Sequence, residues 1–516
     1  MDGIVRTRFR HGMASVSHPS YQAWSYAELL TSFNATVEED EVGIRPCAYC
    51  HNYEPTFTLQ HPFYSDYLER APLFLKPDAL KLRAFIKRFV KYGDEDDVLY
   101  RIENGEIRPS KSLTNALESM LDGNEEFIMI DDQKVVYETA LDLAARATPE
   151  NKHVLIVEGG PGTGKSVVAI NLLVELTSRG GLAQYVTKNA APRAVYEKRL
   201  TGSRTKMAIS NLFIGSGAFQ NTPAATFGAL IVDEAHRLNE KSGLYGVDGE
   251  NQILEIIRAA NFSVFFLDED QRVTFKDIGD NAEIERWAAD QGATVHHLSL
   301  SSQFRCNGSD AYLAWLDNTL QIRDTANVTL HPDEFEFRVV DSPTELRRLI
   351  LERNGENKAR MVAGYCWRWV SKKDPEADDI VFEDGFSHQW NLTKDGSLWI
   401  ESEDSVNEVG CIHTCQGLEL DYVGVIVGPD LKVRGDEVIT DAAERASYDR
   451  SVHGYKTMLK HDPEHAREMA DRVIKNTYKT LLTRGMRGCF VYFTDEETRQ
   501  FFLSRLENEN PSVGAE

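Results

Sequence analysis

The stretch HVLIVEGGPGTGKSVVAINL (153–172) decides how this chain is read. A short apolar run enters a glycine-rich turn, and an apolar pattern at helical spacing leaves it. Gly159, Gly164, Lys165 and Ser166 fill the fixed places of the pattern G-x-x-x-x-G-K-[ST]. The whole turn, Gly159, Gly160, Pro161, Gly162, Thr163, Gly164, Lys165 and Ser166, is expected to wrap a polyphosphate. Its glycines let the backbone curl until N–H groups point inward at an anion. The helix that begins near Lys165 brings its positive dipole end to the same place. Lys165 is expected to neutralise the outer phosphates, and the Ser166 hydroxyl to hold Mg²⁺. The competing reading is a plain glycine-rich turn between strand and helix, which the residues alone would also allow.

A chain of 516 residues is long for one core and points to two or three domains. Its 42% hydrophobic and 27% charged residues are ordinary for a soluble globular protein. No apolar run approaches the roughly 20 residues of a membrane span. Arg6, Arg8 and Arg10 have no apolar segment behind them, so no secretory signal is expected. Seven scattered cysteines suit a reducing compartment better than a disulfide framework, and a cytoplasmic location is the expectation. The net charge of −24 is unfavourable for coating nucleic acid non-specifically, though it leaves room for a local basic channel.

Working outward, residues 1–120 form a small α+β region without phosphate chemistry. A helix is expected at 18–30, a strand-like piece at 43–52 and an amphipathic helix at 79–92. The last places Leu80, Leu82, Phe85, Ile86, Phe89 and Val90 at near-helical spacing. Its other face carries Lys81, Arg83, Lys87, Arg88 and Lys91, which could touch phosphate but reads more simply as a solvated face. Cys47, Cys50 and His51 (CAYCH) match a haem-attachment pattern. That reading is rejected because such attachment goes with export, and zinc is rejected because no second ligand pair lies nearby. Neither haem nor zinc is expected.

From residue 127 apolar strands alternate with longer helical stretches, the mark of a parallel α/β sheet. Strands are expected at 154–157, 183–186, 229–232, 264–267 and 295–300, with helices at 133–146, 167–178 and 251–260. A second block has strands at 337–340, 359–363, 422–427 and 489–493. The expected division is 1–120, 121–300, 301–500 and a polar tail at 501–516.

Chemistry gathers at the strand ends. ALIVDEAHRL (229–238) delivers Asp233 and Glu234 to the carboxyl end of a strand, the edge where the phosphate loop also opens. Asp233 is placed to hold Mg²⁺ through water, and Glu234 to polarise the water that attacks the γ-phosphate. In VFFLDEDQRV (264–273), the Gln271 amide can contact that phosphate. SQFRCN (302–307) supplies Arg305 and LLTRGMRG (481–488) supplies Arg484. Two arginines from outside the loop's own domain would stabilise transition-state charge, although each alone reads as a surface arginine. CIHTCQGLELDYV (411–423) sets His413, Thr414, Gln416, Gly417 and Glu419 before a strand. Upstream, IDDQKVV (130–136) opens a helix with Gln133, whose amide suits the adenine edge and so favours ATP over GTP.

These stretches resemble, in order, the superfamily 1-like helicases, and specifically the Schlafen group 3-type DNA/RNA helicase domain family. The matching pieces are IDDQ, GGPGTGKS, YVTKNAAPRAVY, LIVDEAHRLNEKSGLYG, FFLDEDQRV, SQFRCNGSDAYLAWLD, GCIHTCQGLELDYVGVIVGPDL and YKTLLTRGMRGCFVY. The resemblance implies two RecA-like P-loop NTPase domains with ATP and Mg²⁺ in the cleft between them. It gives Gln133 the adenine role, and Lys165, Ser166, Asp233 and Glu234 the phosphate, metal and base roles. Gln271 becomes the sensor, Arg305 and Arg484 the arginine fingers, and Gln416, Gly417 and Glu419 the lining from the second domain. Thr187, Lys188 and Asn189 would meet the backbone of single-stranded DNA or RNA. Relatives of this type often carry a nuclease-like domain ahead of the helicase part. Residues 1–17 hold no D…E-x-K constellation, so the region is expected to be a remnant of that domain, or its upstream half is missing or supplied by a nuclease partner.

The reading that emerges is an ATP-dependent helicase or translocase acting on DNA or RNA, with no membrane partner. The alternative is a nucleotide-dependent switch or signalling ATPase, for instance in phage defence, that unwinds nothing.

Overall fold

Apolar runs flanked by glycine-rich turns become strands in the computed structural model, which describes residues 1–9, 12–55, 57–94, 96–105, 113–122, 124, 126–201, 203–242, 249–302, 309–332, 335–391, 396–415, 420–447 and 449–506. The chain opens with an antiparallel hairpin of β1 (Ile4–Phe9) and β2 (Gly12–Ser17). The helix Pro19–Phe33 follows, started by the His18 side chain, which accepts from Ser20 N, and by proline in its first turn. β3 (Ala48–Cys50) and β4 (Leu73–Leu75) form a short parallel pair. The helix Ala79–Phe89 forms as its periodicity predicts, but it buries none of its residues, and Leu80 is 79% exposed. Phe85 instead packs between the rings of Phe74 and Phe89 at 5.6 and 5.1 Å. Spacing reports which side chains share a face, and it cannot report whether anything covers that face.

The first large sheet contains β5 (His153–Gly159), β6 (Ala183–Thr187), β7 (Phe213–Gly215), β8 (Phe227–Asp233), β9 (Ala260–Leu267) and β10 (Thr294–Leu300). Their order is β10-β5-β9-β8-β6-β7, and every pairing is parallel. β5 is buried on both faces, as a near-continuous apolar run should be. Leu155 and Val157 point to a core shared with Val136, Val168 and Leu172, while Val154 and Ile156 point to one shared with Ile253, Ile256 and Ile284. The helices Asp131–Arg146 and Lys165–Ser178 supply the first core, and Gln252–Ala259 and Asn281–Asp290 the second.

The second large sheet takes β11 (Glu336–Val339), β12 (Ala359–Ala363), β15 (Val409–Gly410), β16 (Leu420–Val427) and β19 (Gly485–Phe493) in the order β11-β19-β16-β12-β15, again all parallel. Two antiparallel pairs branch from it, β13 (Ile380–Val381) with β14 (Ser387–His388), and β17 (Leu431–Arg434) with β18 (Glu437–Thr440). The helix Pro343–Glu352 lies so close to β16 that a Cβ on Gly424 would stand 2.8 Å from Ile350 Cγ1.

The chain is thus a mixed α/β protein with two large parallel sheets, and the expected strands form with edges displaced by a few residues. The two sheets meet through a shared core, in which Ala191, Val195 and Val273 pack with Trp315, Trp399 and Tyr478. Beside it Asp270 pairs with Arg323 at 2.6 Å and Lys479 at 3.2 Å, and Asp317 pairs with the same two cations at 2.7 and 2.5 Å. Among the described residues, no helix is long and apolar enough to cross a membrane.

Candidate nucleotide site and the recess beside it

The phosphate loop joins β5 to the helix Lys165–Ser178. Gly162 and Gly164 both adopt φ 83°, a region L side chains rarely enter. A Cβ on Gly164 would also stand 2.3 Å from Gln133 Nε2. Lys165 folds over the loop and donates to Gly159 O at 2.6 Å and Gly160 O at 2.7 Å. Gln133 lies against the same loop. Its Nε2 donates to Thr163 O at 3.1 Å, and its Oε1 accepts from Ile130 N at 3.4 Å. An amide has two N–H groups and two acceptor positions, so one of each remains for a ligand.

β8 brings its acids to this loop. Asp233 Oδ2 accepts from Ser166 Oγ at 2.6 Å and from Tyr185 OH at 2.5 Å, while Oδ1 accepts from Glu234 N at 2.9 Å. Burial and the neighbouring Glu234 raise the Asp233 carboxyl above its ordinary value, against the pull of Ser166, Tyr185 and Lys165. Glu234 turns the chain sharply at φ 55°, the kind of strain that buried sites retain. Burial alone would raise its carboxyl, but His236, Lys165 and Arg484 hold it well below the usual range. His236 Nδ1 accepts from Asp268 N at 3.2 Å, so Nε2 carries the ring proton, and that nitrogen faces Glu234 Oε2 at 3.0 Å.

The second sheet contributes Arg484, between the helix Pro463–Leu482 and β19. Its Nη2 donates to Gln271 Oε1 at 3.2 Å and its Nε to Thr480 O at 3.1 Å. Gln271 in turn donates to Asp268 Oδ2 at 2.7 Å. The structure therefore brings together Gln133, Lys165, Ser166, Asp233, Glu234, Gln271 and Arg484. Arg305, Gln416, Gly417 and Glu419 lie outside the described residues. Tyr185, His236 and Asp268 had no assigned part in the sequence reading. Nothing in the strand pattern marks Tyr185, whereas His236 stands within ALIVDEAHRL beside the two acids.

Thr187 ends β6, and Lys188 and Asn189 lead into the helix Ala190–Leu200. Lys188 and Asn189, but not the buried Thr187, border a cavity of about 420 Å³ together with Arg237 from the first sheet's side and Trp369, His413 and Thr414 from the second's. Asn189 is 7% exposed. Its Nδ2 and the Trp369 Nε1 have no hydrogen-bond partner among the described residues. Burial and the Arg237 guanidinium push the Lys188 ammonium down to about 8. His413 opens onto the cavity, yet the surrounding protein and the cations Arg237 and Lys188 push it down to about 3. Two cations, Lys188 and Arg237, border the recess, and Arg237 is paired with the buried Asp277 at 3.0 Å. Among the described residues, no group of three or more His, Cys, Asp or Glu side chains is gathered to hold a metal ion.

Comparison with known proteins adds the family. Residues 152–495 match the model of the Schlafen group 3, DNA/RNA helicase domain. An uncharacterized protein of Saccharomyces cerevisiae is 24% identical over 393 residues, covering 68% of this chain and 84% of its own. Among solved structures, the replication initiator DnaA bound to AMPPCP and single-stranded DNA shares 13% identity at a TM-score of 0.22, covering 42% of this chain and 58% of its own. Domain III of DnaA from Thermotoga maritima gives 13%, 0.21, 42% and 79% for the same quantities. Likenesses that faint carry no argument about fold or function. The family match spans most of the chain, which belongs to the Schlafen group 3 DNA/RNA helicase domain family.

Proposed function

We propose that this member of the family hydrolyses ATP at the junction of its two parallel sheets and couples that hydrolysis to single-stranded DNA or RNA in the neighbouring recess. The observation that carries the reading is the convergence of Lys165, Ser166, Asp233 and Glu234 from the first sheet with Arg484 from the second, through Gln271. The strand order supports two RecA-like units, one on each sheet, dividing near residue 300. In the first, β9 with its sensor end separates the phosphate-loop strand β5 from the acid strand β8.

The donor set fits Mg²⁺, because Ser166 Oγ and a buried carboxylate that lacks a full counter-charge are the hard oxygen ligands such a cation prefers. When bound, the cation neutralises charge on the phosphate oxygens. Every other part belongs to the chain. Lys165 exchanges its loop carbonyls for the outer phosphates. The remaining Gln133 amide positions face the adenine edge. Glu234, kept ionised and oriented by His236, draws the proton from the attacking water. Arg484 stabilises charge on the transferred phosphoryl group, and Gln271 joins its position to the first sheet. Asn189, Lys188 and Trp369 receive phosphate oxygens and a base face of the strand.

Lys165→Ala tests the site. Its ATP turnover is expected to fall by about 10²-fold or more, and turnover at the parent rate would show the assignment to be wrong. The net charge of −24 favours a second reading, a nucleotide-driven switch that engages no strand.

A further inference from the structure

The helix Pro19–Phe33 lies in the N-terminal region, far in sequence from the phosphate loop. Three of its side chains nevertheless end on the segment that braces that loop. Tyr21 OH donates to Met129 O at 2.6 Å in a buried contact. Gln22 Nε2 donates to Asp131 Oδ1 at 2.8 Å, and Tyr26 OH donates to Asp131 Oδ2. Both bonds to the carboxylate are charge-assisted, the stronger kind. Asp131 has φ 35°, left-handed backbone that a non-glycine residue keeps only where its surroundings hold it. Two residues on, Gln133 seats its amide against Thr163 and Gly164. Asp132, between them, accepts from Ser301 Oγ just beyond β10. The segment 129–133 is thus pinned on one side by the N-terminal helix and presses on the phosphate loop with the other.

We propose that Tyr21, Gln22 and Tyr26 are positioning residues for the nucleotide site, holding 129–133 in the strained turn that seats Gln133 on the loop. Nucleotide binding then depends on how the N-terminal region docks. Without these bonds Asp131 is free to relax toward ordinary helical φ, which swings the start of the helix Asp131–Arg146 and lifts the Gln133 amide from Thr163. The effect falls on binding and on adenine selectivity, because Lys165, Glu234 and Arg484 are held by other elements. The inference rests on the reading of the loop and Gln133 as an ATP site.

The test uses the full chain with Tyr21→Phe, with the surface double variant Gln22→Ala/Tyr26→Phe, and with Arg70→Ala as a control. Arg70 stacks 4.3 Å from the Trp24 ring centroid on the same helix and does not reach 129–133. Two readouts are taken: hydrogen exchange of the amides of 159–166 without nucleotide, and KM and kcat for ATP and GTP. The bracing variants are expected to exchange faster in 159–166 and to raise KM for ATP about tenfold. Their kcat should stay within about twofold, and KM for GTP should rise less than KM for ATP. Arg70→Ala should match the parent in both readouts. Unchanged exchange in the double variant overturns the bracing, and it decides the matter should Tyr21→Phe not fold. Faster exchange with unchanged KM overturns the link to binding, as does an equal KM rise in Arg70→Ala. A parent that turns over neither nucleotide defeats the ATPase reading instead, and the exchange readout still decides the bracing.

Discussion

At the ends of β5 and β8, Lys165 is bonded to loop carbonyls, Ser166 and Tyr185 to Asp233, and Arg484 to Gln271, while His236 Nε2 lies 3.0 Å from Glu234. At the end of β6, Asn189 and Trp369 present buried N–H groups that have no partner among the described residues, beside Lys188 and Arg237. Both places lie where the two sheets meet, but their polar groups are satisfied differently. A ligand at the first must exchange with internal bonds, so binding there rearranges contacts and suits a cycle of capture and release. A ligand at the second enters a recess that already exists beside Lys188 and Arg237, which costs less reorganisation. The first resembles a switch, the second a fixed grip.

The largest expected effect asks whether the switch has two halves. Arg484→Ala should lower kcat for ATP by about 10³-fold with nucleotide affinity little changed. An unaffected kcat would make the nucleotide site the property of one sheet and remove the comparison's premise. Glu234→Gln keeps the shape and removes the base, so kcat should fall by about 10²-fold while ATP still binds in an equilibrium measurement. On the grip side, Asn189→Ala or Trp369→Ala should weaken single-stranded DNA or RNA about tenfold in a titration at fixed salt. Lys188→Ala should lower the salt slope of that binding by about 1. If none of these three variants altered binding, the recess would not be where the strand lies.

The smallest effect belongs to neither place. His153 and His296 face each other across β5 and β10 with ring nitrogens 3.2 Å apart, and burial first of all lowers both. Below the ordinary histidine value the unfolded chain therefore binds more protons than the folded one, so their contribution is present above that value and is lost as pH falls. Melting curves at pH 7.5 and 5.5 should differ, and His296→Gln should shrink the difference by about 1–2 °C without touching ATP turnover.

The phosphate loop, the acid strand and most of the parallel strands were legible because glycine placement and apolar runs are local signals. Residue depth and partnership across the fold were not. Tyr185 reaches Asp233 from a neighbouring strand, and Asp268 fixes the His236 tautomer from the next one, contacts no spacing rule encodes. Gln133 was visible as an amide at a helix start, but its bond to Thr163 depends on how 129–133 is folded, and that depends on Tyr21 and Tyr26 a hundred residues upstream. The helix Ala79–Phe89 shows what period alone leaves open, since its spacing predicts a helix and says nothing of burial, and none of its residues is buried.

The central claim is that the switch and the grip work on each other. The most direct measurement is steady-state ATP turnover by the full chain with and without saturating single-stranded DNA and, separately, single-stranded RNA. A severalfold rise with at least one of them is the predicted result, and the same rate in the absence and presence of both would contradict it.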